Sequence, residues 1–250
     1  MTTSIPKILH YCWFGEHEMP DNIQQCLTSW QFLKPEYQFI CWNESNFDVS
    51  RYQFTKEAYE QKKWAFVADF ARLEALYQYG GIYLDTDVMM LRSFDHLLNS
   101  YQLVLGSDEF GGIITSFMAA TPQHPYINEC LSIYQNKSFI KATGKLDMTI
   151  NNVVMNNLLR SHYKINHNTN EELGLIIYPD DYFQVKSFVS GKLHLTENSC
   201  MIHHMNKSWD SVFAKILELL RTKILVPIIG TKAYVQLNDF VRRLVSHIRI

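Results

Sequence analysis

The chain reads as an α/β protein with a mostly parallel central sheet flanked by helices on both faces. Short β-type runs alternate with helix-forming runs at the spacing of strand–helix–strand units. Its 250 residues, 47% hydrophobic and 14% aromatic, are enough to bury a sizeable core. No Pro-, Gly- or Ser-rich linker divides the sequence, and no internal repeat is present.

Taken in order, a strand is expected at 7–13, a helix over 21–32, a strand over 38–42 and a helix over 54–62. The run 64–79 is the strongest helix, with Phe66, Phe70, Leu73 and Tyr77 at core-facing spacing. Asp69 and Arg72 are three residues apart and share a second face of it. Ala65 and Leu76 beside them make that face apolar, so the pair is expected to be enclosed. Gly80-Gly81 ends the helix, and Ile82-Tyr83-Leu84 begins a strand that runs into Asp85-Thr86-Asp87. A further strand is expected over 103–105, a loop at Gly111-Gly112, and a late strand within 194–203 that delivers His203 and His204.

In parallel sheets ligands bind at the carboxyl ends of strands, where Trp13-Phe14-Gly15, Trp42-Asn43 and Asp85-Thr86-Asp87 all fall. Side chains at i and i+2 of an extended chain leave one face, so Tyr83, Asp85 and Asp87 are expected to project together. Two carboxylates so placed suit a hard divalent cation, which keeps positions open for phosphate oxygens.

Four blocks stand in a fixed order: Ile5-Pro-Lys-Ile-Leu-His-Tyr-Cys-Trp-Phe-Gly15, Lys63-Trp-Ala-Phe-Val-Ala-Asp-Phe-Ala-Arg72, Tyr79-Gly-Gly-Ile-Tyr-Leu-Asp-Thr-Asp87 and His203-His204-Met-Asn-Lys-Ser208-Trp209. Together, across 5–209, they resemble the sugar transferases with a DXD sugar-binding region, glycosyltransferase family 32 and its relatives. Those relatives include capsular polysaccharide and lipooligosaccharide transferases and the glucosylating domains of large cytotoxins. The resemblance implies a GT-A type fold and a retaining transfer from a nucleotide-sugar donor, UDP-linked, with Mn²⁺ or Mg²⁺ as cofactor. It implies Asp85, Asp87, His204 and Ser208 as metal ligands, with His203 packing or hydrogen bonding beside them. Asp69 and Arg72 would meet the donor's sugar hydroxyls and phosphate side, supported by Tyr83. Trp13 would contact the uracil ring, and Lys207 and Trp209 the diphosphate. The acceptor implied is a glycan or lipid-linked oligosaccharide of a capsule, O-antigen or lipooligosaccharide.

Two stretches depart from the family pattern. Gly111-Gly-Ile-Ile-Thr-Ser-Phe-Met-Ala-Ala-Thr-Pro-Gln-His-Pro125 lacks an Asn that many relatives carry, with Thr115 or Ser116 as its stand-in. Thr143-Gly-Lys-Leu-Asp147 lacks a Gly-Pro, and Asp147 is either a substrate contact or turn chemistry.

A net charge of −2 gives no reason to expect nucleic-acid binding. Cys12, Cys26, Cys41, Cys130 and Cys200 are odd in number and scattered, which argues against a disulfide framework or zinc site. The N-terminal residues lack the pattern of a signal peptide, so a cytoplasmic location is expected. The reading places a catalytic domain over 1–210 and an amphipathic basic tail over 211–250. Residues 211–250 hold seven Lys and Arg against two acids, a formal +5, so the first 210 residues carry −7. Such a tail suits either peripheral contact with the inner face of an anionic membrane or packing on the domain or a second subunit. Two other functional classes compete with the transferase: a glycoside hydrolase, whose two carboxylates must flank a bond about 5–10 Å apart, and a non-catalytic nucleotide-sugar or glycan-binding module.

Overall fold

The computed structural model describes residues 4–33, 36–205 and 212–238. The chain divides into two compact units, one of Met1–Val185 with Leu195–Asn206, the other of Lys186–His194 with Lys207–Ile250.

In the first unit β1 (Ile8–Cys12) leads to α1 (Asp21–Ser29), which tightens into a 3₁₀ turn over Trp30–Leu33 where a longer α-helix was expected. Trp30 is drawn into the core there, its indole N–H donating to Val88 O at 2.8 Å. β2 (Gln38–Trp42), α2 (Gln53–Glu60) and α3 (Trp64–Tyr79) follow the sequence reading, and then β3 (Gly81–Leu84) enters the sheet. β4 (Val88–Met90), α4 (Asp95–Leu98), β5 (Leu103–Ser107), β6 (Ile113–Ala120), α5 (Pro125–Gln135) and α6 (Asn151–His162) come next. The unit closes with β7 (Thr169–Asn170), β8 (Leu175–Tyr178), α7 (Asp180–Phe183) and β9 (Met201–His203).

The seven-stranded sheet has the order β2-β1-β3-β6-β5-β8-β7. β2, β1, β3, β5 and β8 run one way, while β6 and β7 run against their neighbours. Because β1 pairs in parallel with both β2 and β3, the residues after Cys12, Trp42 and Leu84 emerge at one edge. β6 starts at that same edge, since it runs antiparallel to β3 and β5.

The period of two in the strands sorts side chains onto two cores. Tyr83, Met118 and Ala120 join the apolar cluster built with α2, α3, α5 and α6. Ile82, Leu84, Phe117 and Ala119 join the other, with Trp30, Phe94 and Phe183. Helix α3 is enclosed nearly all round: Phe66, Phe70 and Leu73 are buried, and so are Asp69 and Arg72. Burying a Phe or Leu side chain contributes about 1.5–3 kcal/mol, so this helix is a fixed platform for the polar pair it carries.

The α3–β3 junction depends on glycine. Gly80 (φ +63°) caps the helix, its N–H bonded to Leu76 O, and Gly81 has φ +94°. A Cβ on Gly81 would lie 2.4 Å from Ile8 O, so only glycine lets the strand start against β1. His10, wholly buried, closes the junction: Nε2 lies 2.8 Å from Gly80 O while Nδ1 accepts from the Trp42 indole. Burial lowers its pKa to about 4, so the ring stays neutral.

The second unit holds α8 (Val212–Leu220), a π-helical segment over Arg221–Leu225 and α9 (Val226–Ile229), ended by Gly230 at φ +81°. The widened turn stands just before Pro227, which has no N–H for the carbonyl four residues back and whose ring crowds it. The Arg221 guanidinium donates to Phe188 O at 2.8 Å, tying the helix to the 186–194 segment. Among the described residues no helix is long and apolar enough to cross a membrane. All five cysteines are free.

Candidate active site

The two aspartates converge, but by a turn and not along an extended strand. β3 ends at Leu84 and residues 85–87 turn, with Val88 N–H bonded to Asp85 O at 3.1 Å. The chain must turn because β4 leaves the main sheet to pair with β9. Asp85 stays tied to β6 through its N–H on Ser116 O at 3.0 Å.

Asp85 is oriented by α3 and β3. Its Oδ1 accepts from Tyr83 OH at 3.0 Å and lies 3.3 Å from Arg72 Nη2. Its Oδ2 faces the other way, 3.8 Å from His203 Nε2. Asp87 Oδ1 lies 3.2 Å from the same nitrogen. Asp85, Asp87 and His203 thus each offer one ligand atom, all within 4.8 Å of one another.

His203, where the sequence reading expected His204, is the histidine at the carboxylates. β9 pairs antiparallel with β4 and sets His203 opposite Val88, so its ring faces the turn. The next residue's side chain leaves the other face of a strand, and His204 meets Asp87 through its backbone, N–H to O at 3.0 Å. Ser208, Lys207 and Trp209, expected as ligand and diphosphate contacts, lie outside the described residues.

The donor set fits a cation. Gln184 turns its amide nitrogen to Met205 Sδ at 3.4 Å and its oxygen to His203 Nδ1 at 3.2 Å. With the proton on Nδ1, the lone pair of Nε2 points at two carboxylates. Three acceptors meeting in this way repel unless a positive charge stands among them, and two carboxylate oxygens with one imidazole nitrogen can hold a divalent cation.

Arg72 is the positive centre of the protein wall. It is buried, lies 3.1 Å from Asp69 Oδ1, donates to Thr115 O at 2.9 Å and stacks its guanidinium 4.5 Å over the Tyr83 ring. Burial works against its charge, but Asp85, Tyr83 and Asp69 together raise its pKa above the ordinary value. For Asp69 burial wins over the attraction of Arg72 and lifts the carboxyl to about 6. Burial likewise raises the Tyr83 hydroxyl well above its usual range, so it remains a donor to Asp85.

The sequence reading missed Asn151. At the start of α6 its N–H donates to Asp69 Oδ2 at 3.1 Å and its side-chain amide to Asp69 O at 2.7 Å. Nothing local marks it, since Asn recurs along α6 at 151, 152, 156 and 157. Of the two stand-ins weighed for the absent Asn, Thr115 serves Arg72 and Ser116 serves Asp85, each through its carbonyl. Asp147 accepts from Lys137 Nζ at 2.8 Å and from Thr149 Oγ1 at 2.7 Å, which shapes the loop entering α6. Trp13 follows β1 at the shared edge, its indole N–H donating to His17 O at 2.6 Å.

Residues 20–104 match the family model described as glycosyltransferase sugar-binding region containing DXD motif. Over these residues the chain is similar to the DXD-containing glycosyltransferases. It is 30% identical over 151 residues to inositol phosphoceramide mannosyltransferase 1 of Schizosaccharomyces pombe, covering 55% of this chain and 46% of that protein. It is 26% identical over 239 residues to mannosyl phosphorylinositol ceramide synthase CSH1 of Saccharomyces cerevisiae, covering 88% of this chain and 57% of the relative. The chain therefore spans about half the length of the curated relatives it matches. Among solved structures, the apo-form glycosyltransferase GlyE of Streptococcus pneumoniae aligns with 91% of this chain and 64% of its own, at TM-score 0.51 and 10% identity. That likeness is one of fold, and the fold is the GT-A type expected from the sequence.

Proposed function

We propose that the protein is a metal-dependent, retaining glycosyltransferase that moves a hexose or N-acetylhexosamine from a UDP-linked donor to a lipid-linked or surface glycan. The observation that carries this reading is the meeting of Asp85, Asp87 and His203 beside the buried Arg72. Mn²⁺ or Mg²⁺ held by these three would offset the charge that builds on the departing diphosphate. Tyr83 and Arg72 anchor one oxygen of Asp85, so the other is presented without rearrangement. Asp69, fixed by Asn151, and Arg72 meet the donor sugar, and Trp13 meets the base. No residue is assigned as a covalent nucleophile. The acceptor hydroxyl attacks on the face the leaving group departs from, and the departing phosphate takes its proton, so catalysis rests on positioning and electrostatics.

One relative is named an inositol phosphoceramide mannosyltransferase and another a mannosyl phosphorylinositol ceramide synthase, which supports a lipid-linked acceptor here. A hydrolase is not favoured, because its carboxylates must leave room for a glycosidic bond, whereas these ligand atoms lie within 4.8 Å. The test is nucleotide release by the purified protein from UDP-glucose, UDP-galactose, their N-acetylhexosamine counterparts and GDP-mannose, with Mn²⁺, with Mg²⁺ and with EDTA. Release from a UDP-sugar that EDTA abolishes is the expected result. Release from GDP-mannose alone would overturn the donor assignment, and turnover indifferent to EDTA the metal assignment. Binding with no release under any condition would leave the binding module standing instead.

A further inference from the structure

Among the described residues of the second unit, an apolar helix leaves most of its large side chains exposed. Over 216–229, Ile216, Leu217, Leu219, Leu220 and Ile224 are between 46% and 58% exposed, and Ile228 is 75% exposed. Isolated exposed aliphatics are ordinary on a soluble surface, but a contiguous run of this kind marks a surface that meets something apolar. The helix does not owe this exposure to fraying. It is continuous from α8 through the π-helical turn to α9, Arg221 ties it to Phe188 O, and Gly230 closes it.

Charge narrows what that apolar partner is. The exposed run carries Arg221 and Lys223 against Glu218, and the whole of 211–250 is +5 while the first 210 residues are −7. A protein groove that accepts aliphatic side chains has no need of this excess of positive charge. An anionic lipid surface answers both features: its hydrocarbon boundary takes up Leu and Ile, and its headgroups attract Lys and Arg, whose long stems let the charge reach outward. The same surface repels the acidic first unit, so the charge distribution also sets which end of the chain approaches it. Among the described residues this helix is not long and apolar enough to cross a membrane.

We propose that the helix over 212–229 docks in the interface of an anionic membrane, with the Ile216, Leu220, Ile224 and Ile228 side chains inserted among the lipids. Docking of this kind needs neither donor nor metal. It therefore stands apart from the transfer reaction, although it would bring a lipid-linked acceptor to the protein.

The experiment is sedimentation of the full chain with vesicles of phosphatidylcholine alone and with 30 mol % phosphatidylglycerol, about 30 mM salt and no nucleotide sugar being present. The expected result is binding to the anionic vesicles, weakened at least tenfold by about 300 mM salt. Leu220→Asp with Ile224→Asp should abolish binding even at low salt, and Lys223→Glu should weaken it several-fold. All variants are compared at matched thermal stability, and the milder Leu220→Ser with Ile224→Ser stands in if the aspartates unfold the chain. No binding by the wild-type chain would overturn the proposal, as would binding unchanged by the apolar substitutions. A dimer in solution that the same substitutions dissociate, with no vesicle binding, would assign the face to a second copy instead. Because the readout is vesicle binding alone, failure of the transferase reading would leave the result standing, and the reverse.

Discussion

Arg72 Nη2 lies 3.3 Å from Asp85 Oδ1 and 3.1 Å from Asp69 Oδ1, so one buried cation joins a helix carboxylate to the first aspartate of the DXD turn. Removing it leaves two carboxylates enclosed without their partner, which costs about 3–5 kcal/mol in comparable buried pairs. Arg72→Ala should lower Tm by about 10 °C in a chain of this size. Arg72→Lys keeps the charge but cannot fork between Asp69, Asp85 and Thr115 O. It should fold with a smaller loss of Tm and still lose about a hundred-fold in nucleotide release. Thermal unfolding alongside the release assay checks both, and an unchanged Tm for Arg72→Ala would refute the enclosed network.

The two histidines separate cleanly by substitution. His203→Ala removes the imidazole at 3.2 Å from Asp87 and should weaken Mn²⁺ binding about 10–100-fold by titration calorimetry. His204→Ala keeps the backbone bond to Asp87 O and should leave Mn²⁺ affinity within about three-fold. Asp87→Asn should cost about a hundred-fold or more in metal-dependent release while keeping the fold. The opposite ranking of the two histidines would return the ligand role to His204.

These differences mark where local pattern stops informing. α3 was legible to both ends, over Trp64–Tyr79, because its apolar spacing is dense and Gly80-Gly81 stops it. The meeting of Asp85 with Asp87 was legible too, but its means was not: the turn exists because Val88 pairs with His203, more than a hundred residues away. That register also decides which histidine faces in, and a one-residue slip exchanges them. Asn151 was invisible for the same reason, since its hydrogen bonds to Asp69 arise when a late helix docks on an early one. β6, which supplies the carbonyls that hold Arg72 and Asp85, is a short apolar run after a glycine turn whose local pattern does not say which strands it joins.

Gly81 offers a test of how the site is built. A Cβ there would meet Ile8 O at 2.4 Å with φ at +94°, so Gly81→Ala must move β3 against β1. A loss of about 3 kcal/mol or more is expected, read as a lower urea midpoint with an unchanged slope. Gly144→Ala is the control: φ is +76° but nothing lies within 4 Å of its Cβ. Backbone strain alone acts at that position, at about 1 kcal/mol. Equal losses for the two would show that crowding at the α3–β3 junction contributes nothing.

Acid should act on this fold in two opposed stages. Burial raises the Asp69 carboxyl to about 6 in the folded chain, against about 3.9 when unfolded. Its ionised form is therefore a penalty that is full above pH 6 and fades as pH falls towards 4. For Asp147 burial also raises the pKa, but hydrogen bonds from Lys137 and Thr149 outweigh it and hold the group at about 2. This depressed pKa is a stabilisation, present above about pH 4 and lost as pH falls through 4 towards 2. It contributes on the order of 1–2 kcal/mol once screening of its partly exposed lysine partners is allowed for. Urea unfolding at pH 7, 5 and 3 should thus give a relative gain from Asp69 between 7 and 5 and a loss from Asp147 by 3. In Asp147→Asn the loss between pH 5 and 3 should shrink by about half that amount, while the change between 7 and 5 stays as in the wild type. If the substitution left the acid limb unaltered, the Lys137–Asp147–Thr149 clamp would carry no stability, and the loop that positions Asn151 would be held by its packing alone.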